Sequence, residues 1–234
     1  MPSGVLYLIP VSLGASQIDL PMSAIEQVCA LNTFIVENAK SARQYLAQFK
    51  LATPLQQINF LLLDEHTPRE TLKDLLKPLL AGENAGLMSE AGCPAVADPG
   101  AALIRLAHQH AIKVVPLVGP SAILLALMAC GLDGQRFAFH GYLPVPEHDR
   151  RKSLAELEKN SKALTQTQIF IEAPYRNQKL LQSLIETCRG TTWLCLATDI
   201  TLPTESIVTR RMAEWKTKLP EINKRPTVFL LYSD

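Results

Sequence analysis

The chain has 234 residues, 47% hydrophobic and 19% charged, a balance that supports a large buried core in one or two domains and excludes a disordered protein. Its net charge of +1 divides into −3 over residues 1–135 (8 Lys/Arg, 11 Asp/Glu) and +4 over residues 136–234 (15 and 11). That asymmetry fits either a nucleic-acid face on the second half or an ordinary solvated surface. Five cysteines (Cys29, Cys93, Cys130, Cys188, Cys195) include no C-x-x-C pair, and the five histidines are scattered. Neither a disulfide framework nor a metal site is expected, and the cytoplasm is the expected location. The opening "MPSGVLYLIP" lacks the basic start of a signal peptide, and the longest apolar stretch, "LVGPSAILLALMACGL", contains Gly119-Pro120 and falls short of the ~20 residues that cross a bilayer.

In chain order, the apolar runs "GVLYLI", "INFLLL", "AGLMS", "IKVVPLV", "RFAFHGYL", "QIFIEA", "TWLCLAT" and "PTVFLLY" read as strands. Segments with helical spacing fall at roughly 20–31, 41–49, 68–80, 99–110, 120–130, 151–160, 175–188 and 212–218, several with proline in the first turn, where a missing N–H costs nothing. Gly131 closes the helix ending at 130. This alternation is an α/β pattern without internal repeats or a Ser/Gly-rich linker. The turn "PLVGPSA" is the best boundary, giving domains 1–117 and 118–234 with a ligand cleft expected between them.

The central stretch "LMSEAGCPAVADPGAAL" reads as a buried strand ending at Met88, a turn through Glu90-Ala91-Gly92-Cys93-Pro94, and a helix opened by Asp98 as N-cap before Pro99-Gly100. Gly92 and Pro94 around a small residue let a ligand approach the main chain at the carboxyl end of a strand, and a carboxylate there can accept hydrogen bonds from a ribose diol. A merely tight strand-to-helix turn is the alternative. Neither G-x-G-x-x-G nor G-x-x-x-x-G-K-[ST] occurs, and Gly119-Pro120-Ser121 lacks the G-x-S-x-G elbow of a hydrolase. Cys130 reads as a small core residue.

Glu37 stands at a strand end beside Asn38 and Lys40, placed either as a general base for a hydroxyl or as a cap or ion-pair partner of the next helix. Tyr175 and Arg176 in "APYRN" either line an acceptor or pack and face solvent. Residues 147–162, "EHDRRKSLAELEKNSK", read as a solvated amphipathic helix whose Arg150, Arg151 and Lys152 either contact phosphates or simply meet water.

The ordered set "SEAGCPAVADPG", "VVPLVGPSAILLAL" and "RFAFHGYLPV" resembles the tetrapyrrole-methylase superfamily of S-adenosylmethionine-dependent methyltransferases. Within it, the chain is most similar to the ribosomal RNA small subunit methyltransferase I group, which methylates a ribose 2′-hydroxyl. "LYLIPVSLG", "IEAPYRN" (the family's E-x-P-x-R segment), "LATDIT" and "KRPTVFLL" extend the likeness over nearly the whole chain. The resemblance implies a two-domain α/β fold, a homodimer, and S-adenosylmethionine held folded in a cleft between the domains. Carried over by position, the cofactor contacts fall at Pro10, Glu90, Gly92, Cys93, Val96, Ser121, Ala122, Ala173 and Pro226, many through the main chain. The implied acceptor is rRNA or the small ribosomal subunit. A uroporphyrinogen or precorrin C-methyltransferase and a non-catalytic binding module of the same fold are the alternatives. The chain departs from the rRNA branch in two places, with Pro10-Val11-Ser12-Leu13-Gly14-Ala15 for P-x-P-I-G-N and Glu37-Asn38-Ala39-Lys40 for E-D-T-R, and Cys93 replaces the superfamily's usual Thr or Asp.

Overall fold

The computed structural model describes residues 2–14 and 19–234; Ala15, in the altered first loop, lies outside them. The chain divides into two compact units, Met1–Ser121 and Ala122–Asp234. In the first, β1 (Val5–Ile9), α1 (Met22–Cys29), β2 (Thr33–Val36), α2 (Ala39–Leu46), β3 (Asn59–Leu62), α3 (Leu72–Leu75), α4 (Lys77–Leu80), β4 (Ala85–Met88), α5 (Ala101–Gln109) and β5 (Lys113–Pro116) follow in order. The strands form one sheet, β3-β2-β4-β1-β5, parallel throughout. Alternate residues serve opposite faces, as the twofold period of a strand requires. Ile9, Phe34, Val36 and Met88 join a core with α1 and α2, while Leu6, Ile35, Ala85 and Leu87 join another with Leu76, Leu79 and Leu103.

The second unit contains α6 (Ala122–Cys130), β6 (Phe137–Tyr142), α7 (Glu147–Leu164), β7 (Thr167–Ile171), α8 (Asn177–Thr187), β8 (Trp193–Thr198), β9 (Ser206–Arg211), α9 (Met212–Thr217) and β10 (Thr227–Tyr232). Its sheet runs β6-β7-β10-β8-β9, with only the β6–β7 pair parallel. One core gathers Leu154, Leu157, Phe170, Leu184, Leu196, Trp215 and Phe229. Among the described residues no helix is long and apolar enough to cross a membrane.

Several local expectations need correction. Strand β9 lies outside the expected strands, while β2, outside the eight apolar runs, ends at Val36 just before Glu37, at the strand end expected there. The helix expected over 68–80 is broken into a 3-10 turn at Arg69–Thr71 followed by α3 and α4, and α7 covers the amphipathic stretch from Glu147 and runs on to Leu164, beyond the 151–160 given by helical spacing. Asp98 does not cap α5. Gly100 occupies that position at φ 137°, with no side-chain cap bond, because the loop reaches the helix through a backbone conformation that points the Asp98 carboxylate at Ser89 instead. Arg150 is not part of a solvated cluster: it is 3% exposed, with Nε donating to Ser183 Oγ at 3.1 Å and Nη1 to the Val145 carbonyl at 2.7 Å.

Candidate functional site

In an all-parallel sheet every strand ends at the same edge, and open α/β sheets bind ligands there, where the strand order reverses. The order β3-β2-β4-β1-β5 brings four loops to that edge of the first unit: Pro10–Gly14 after β1, Glu37–Asn38 after β2, Ser89–Gly100 after β4 and Leu117–Ser121 after β5. Pro10, Glu37, Glu90, Gly92, Cys93, Val96 and Ser121 all lie on these loops. Ala122 follows as the first residue of α6.

Two glycines make the convergence sterically feasible. A Cβ on Gly119 would lie 2.5 Å from Pro10 Cβ, so the β5 loop can rest on the buried Pro10 only with hydrogen at that position. Gly92 has φ +70° and exchanges both main-chain hydrogen bonds with Val11, each at 2.8 Å, which ties the β4 loop to the β1 loop. Ala95 and Ala97 also have positive φ, both 65°. Non-glycine residues rarely adopt this region, and such backbone clusters where the surrounding structure uses it, often around ligands. Between them Val96 is exposed, with its N–H directed to the Cys93 carbonyl at 3.3 Å. Cys93 Sγ faces the Pro120 carbonyl at 3.4 Å, and burial pushes its thiol above the ordinary range, away from thiolate chemistry.

Beside this loop lies a pocket of about 180 Å³ whose polar lining includes Glu37, Asn38, Ser41, Gln44, Gln48 and Glu90. The sequence builds it from α2. Asn38 caps that helix, accepting from the Lys40 N–H at 2.9 Å and the Ser41 N–H at 3.4 Å, which leaves Glu37 free of the capping role. Positions 41, 44, 45 and 48 recur at helical spacing and face the pocket together, with the Ser41 hydroxyl donating to the Glu90 carboxylate. The Glu37 carboxyl is pushed above the ordinary carboxylate range, first by desolvation and then by the charges of Asp98 and Glu90. Asp98 is raised likewise by burial, opposed by its hydrogen bond from Ser89. Ser12, Ser41, Tyr45 and the two glutamines escaped sequence reasoning, although the polar stripe on α2 was available as a signal. Among the described residues no three His, Cys, Asp or Glu side chains are arranged to hold a metal ion.

The second unit holds Ala173 and Pro226. Glu172, Arg176 and the Ala173 N–H form one knot: Glu172 Oε1 accepts from Ala173 N at 2.7 Å, Arg176 Nε at 2.9 Å and Arg176 Nη2 at 2.6 Å. The E-x-P-x-R segment is thus an i,i+4 ion pair with the Glu172 side chain 2% exposed, and Arg176 also lies 4.9 Å from the centre of the exposed Tyr175 ring. Pro226 is exposed, and its carbonyl accepts from Asp199 N–H at 2.9 Å.

The description "Tetrapyrrole (Corrin/Porphyrin) Methylases" belongs to the family whose pattern matches residues 23–215. A protein of Vibrio cholerae serotype O1 named ribosomal RNA small subunit methyltransferase I is 32% identical over 227 residues, covering 96% of this chain and 75% of the relative. Among solved structures, the methyltransferase CobJ superposes with a TM-score of 0.66 at 18% identity, covering 99% of this chain and 95% of its own. Uroporphyrin-III C-methyltransferase from Thermus thermophilus, complexed with S-adenyl homocysteine, superposes with a TM-score of 0.59 at 16% identity, covering 98% of each chain. The two sheets in their observed orders, the loops gathered at the parallel edge and a family match over most of the length lead to one conclusion: the chain belongs to the tetrapyrrole (corrin/porphyrin) methylase family.

Proposed function

We propose that the chain is an S-adenosylmethionine-dependent methyltransferase acting on a ribose 2′-hydroxyl of small-subunit rRNA. The observation that carries the choice of acceptor is the lining of the pocket beside Glu37, which offers carboxylates, amides and hydroxyls and no lysine or arginine. A uroporphyrinogen or precorrin bears many carboxylates, which that lining repels. A ribose is neutral and offers hydroxyl donors that carboxylates and amide oxygens accept. The similarity to the Vibrio cholerae rRNA methyltransferase supports the same acceptor.

The cofactor positions fit the group. Pro10, Gly92, Cys93, Val96, Ser121 and Ala122 present small side chains and main-chain polar groups, and the hydrogen of Gly92 keeps the turn open, as close approach of an adenosine requires. The resemblance adds Ala173 and Pro226, whose main-chain groups are oriented within the second unit by Glu172, Arg176 and Asp199. When bound, S-adenosylmethionine supplies an electrophilic methyl group on a sulfonium centre. Glu37 would take the proton of the acceptor hydroxyl while that hydroxyl's oxygen bonds the methyl carbon, the carbon–sulfur bond breaks and S-adenosylhomocysteine leaves. The raised affinity of Glu37 for a proton makes it a stronger base than an ordinary carboxylate. Glu90, held by Ser41, would accept hydrogen bonds from the ribose diol of the cofactor, and alignment of acceptor and methyl group is the larger part of the acceleration.

We also propose a homodimer working in the cytoplasm, where its ribosomal acceptor is found. Leu124 and Met128, 54% and 81% exposed on the wholly apolar α6, support a second copy, since apolar surface of this kind is buried when a partner is present. Sedimentation of the free chain as a dimer, and of Met128→Glu as a monomer, is expected. Calorimetry with S-adenosylmethionine and S-adenosylhomocysteine tests the cofactor. Binding of either at micromolar concentration is the expected result, and no heat with either at millimolar concentration would leave a non-catalytic binding module.

A further inference from the structure

The second unit has a pocket that the methyl-transfer chemistry leaves unused. It has a volume of about 160 Å³ and lies between β8, β9 and the segment that follows α9. Ser206, Val208 and Arg210 alternate along β9 and therefore share one face, opposite Leu196 and Thr198 of β8 in register. Trp215 closes the base: its ring is 3% exposed, and its indole N–H is spent on the Leu194 carbonyl at 3.0 Å. The Arg210 guanidinium lies 5.0 Å from the centre of that ring. Leu219, 48% exposed, continues the apolar wall.

Three cations border this pocket, and they are not equivalent. Arg225 is consumed by the fold, with Nε on Asp199 Oδ2 at 2.8 Å and Nη2 on the Thr204 carbonyl at 2.7 Å. Arg210 and Lys218 pair with no carboxylate among the described residues. Residues 205–225 hold six Lys/Arg against three Glu, so this short segment accounts for three of the four net positive charges of residues 136–234. An apolar floor, a guanidinium plane backed by an indole and an unpaired ammonium at the rim are the three elements with which proteins hold an unpaired nucleotide. A base stacks on the plane and its phosphate meets the ammonium.

We propose that this pocket is a second RNA-binding site that takes one unpaired nucleotide of the acceptor, its base against Arg210 and the apolar wall and its phosphate on Lys218. The inference rests on the reading of the chain as an rRNA methyltransferase and adds the means by which an otherwise near-neutral protein grips a polyanion. The β9 position at the sheet's end leaves this face beside an open edge.

The test is equilibrium binding of small ribosomal subunits and of a fluorescein-labelled single-stranded RNA of small-subunit sequence, over a series of salt concentrations, using the full chain. Arg210→Gln/Lys218→Gln should bind both at least tenfold more weakly and with a shallower salt dependence, the log–log slope falling by about 0.7 for each single-strand phosphate that is no longer neutralised. Affinity for S-adenosylmethionine should stay at the parent value. Lys159→Gln, which matches the charge change of Lys218→Gln at an exposed position of α7, should leave binding and slope as they were. Where the double variant melts early, Lys218→Gln alone carries the slope measurement, since that side chain is exposed. A parent that methylates small subunits, with variants of unchanged affinity and slope, overturns this inference and leaves the methyltransferase reading intact. Equal loss in Lys159→Gln also overturns it. A parent that binds neither RNA overturns both.

Discussion

Glu37 owes its raised proton affinity to burial and to negative neighbours, and this and the base role proposed for it can be read in two experiments on one substitution. Removing the carboxylate in Glu37→Gln should lower the methyl-transfer rate by about 10²–10⁴, the ordinary contribution of a positioned base. The same substitution should raise stability at neutral pH. A carboxyl whose proton affinity is greater in the folded than in the unfolded chain is destabilising once ionised, so stability falls as pH rises from the unfolded pKa through the folded one. Melting temperatures of parent and Glu37→Gln should differ in favour of the variant at pH 7.5, and the difference should vanish as the pH drops below the range in which Glu37 ionises. The rate should fall on the acid side at a higher pH than an unperturbed glutamate would give. An inactive variant with no gain in melting temperature would mean that the environment of Glu37 is more open than its neighbours Glu90 and Asp98 indicate.

Gly92 makes a second prediction at this scale. Valine there must adopt φ near +70°, at a cost of roughly 1–2 kcal/mol, and its Cβ would stand 3.3 Å from Leu13 Cδ2. Gly92→Val should remain folded with a modestly lowered melting temperature and lose tenfold or more in S-adenosylmethionine affinity by calorimetry. Parent-like affinity in the folded variant would remove the Gly92 turn from the cofactor site.

At the scale of elements, α7 divides three consecutive cations by the geometry of one helix. Arg150 points into the unit, Arg151 pairs with Glu147 and Glu186, and Lys152 faces solvent. Arg150→Ala deletes two hydrogen bonds and a buried aliphatic stem, so urea unfolding should record a loss of roughly 2–4 kcal/mol, while Lys152→Ala should stay within about 0.5 kcal/mol of the parent. Helical periodicity alone did not separate these residues, because a long arginine stem can be buried from a nominally polar face. A related limit applies to the two strands that the apolar runs leave out. Thr33–Val36 is buried throughout and has no twofold alternation, and Ser206–Arg211 is a half-exposed edge strand with four polar residues among its six. Strand β4, with its abrupt stop at Met88 before the Gly92 turn, was legible because a continuous small and apolar run meets a glycine and a proline there. The Asp98 cap failed for the opposite reason: Asp-Pro-Gly is a good local start signal, yet the left-handed Ala95 and Ala97 and the unusual Gly100 are imposed by the loop as a whole. The Gly92 turn could thus be found from its residue types, whereas the acidic pocket beside it depends on which strands become neighbours, and the order β3-β2-β4-β1-β5 is a property of the sheet.

At the scale of the whole molecule, the charge of the two units separates the tasks proposed for them. The first unit, with 8 Lys/Arg against 10 Asp/Glu, is net −2 and lines the pocket beside Glu37 with carboxylates; the second, with 15 against 12, is net +3 and concentrates its surplus on β9 and the segment after α9. A polyanion is then held by phosphates at one place and offers an uncharged ribose at another, which a free tetrapyrrole with carboxylates around its rim cannot do. The most direct test is transfer of an isotopically labelled methyl group from S-adenosylmethionine, with small ribosomal subunits, naked small-subunit rRNA and a uroporphyrinogen offered to the chain in parallel and the labelled product mapped. Label is expected in rRNA, on a ribose 2′-oxygen, with none in the uroporphyrinogen; label in the uroporphyrinogen alone, or on a base rather than a ribose, would overturn the choice of acceptor.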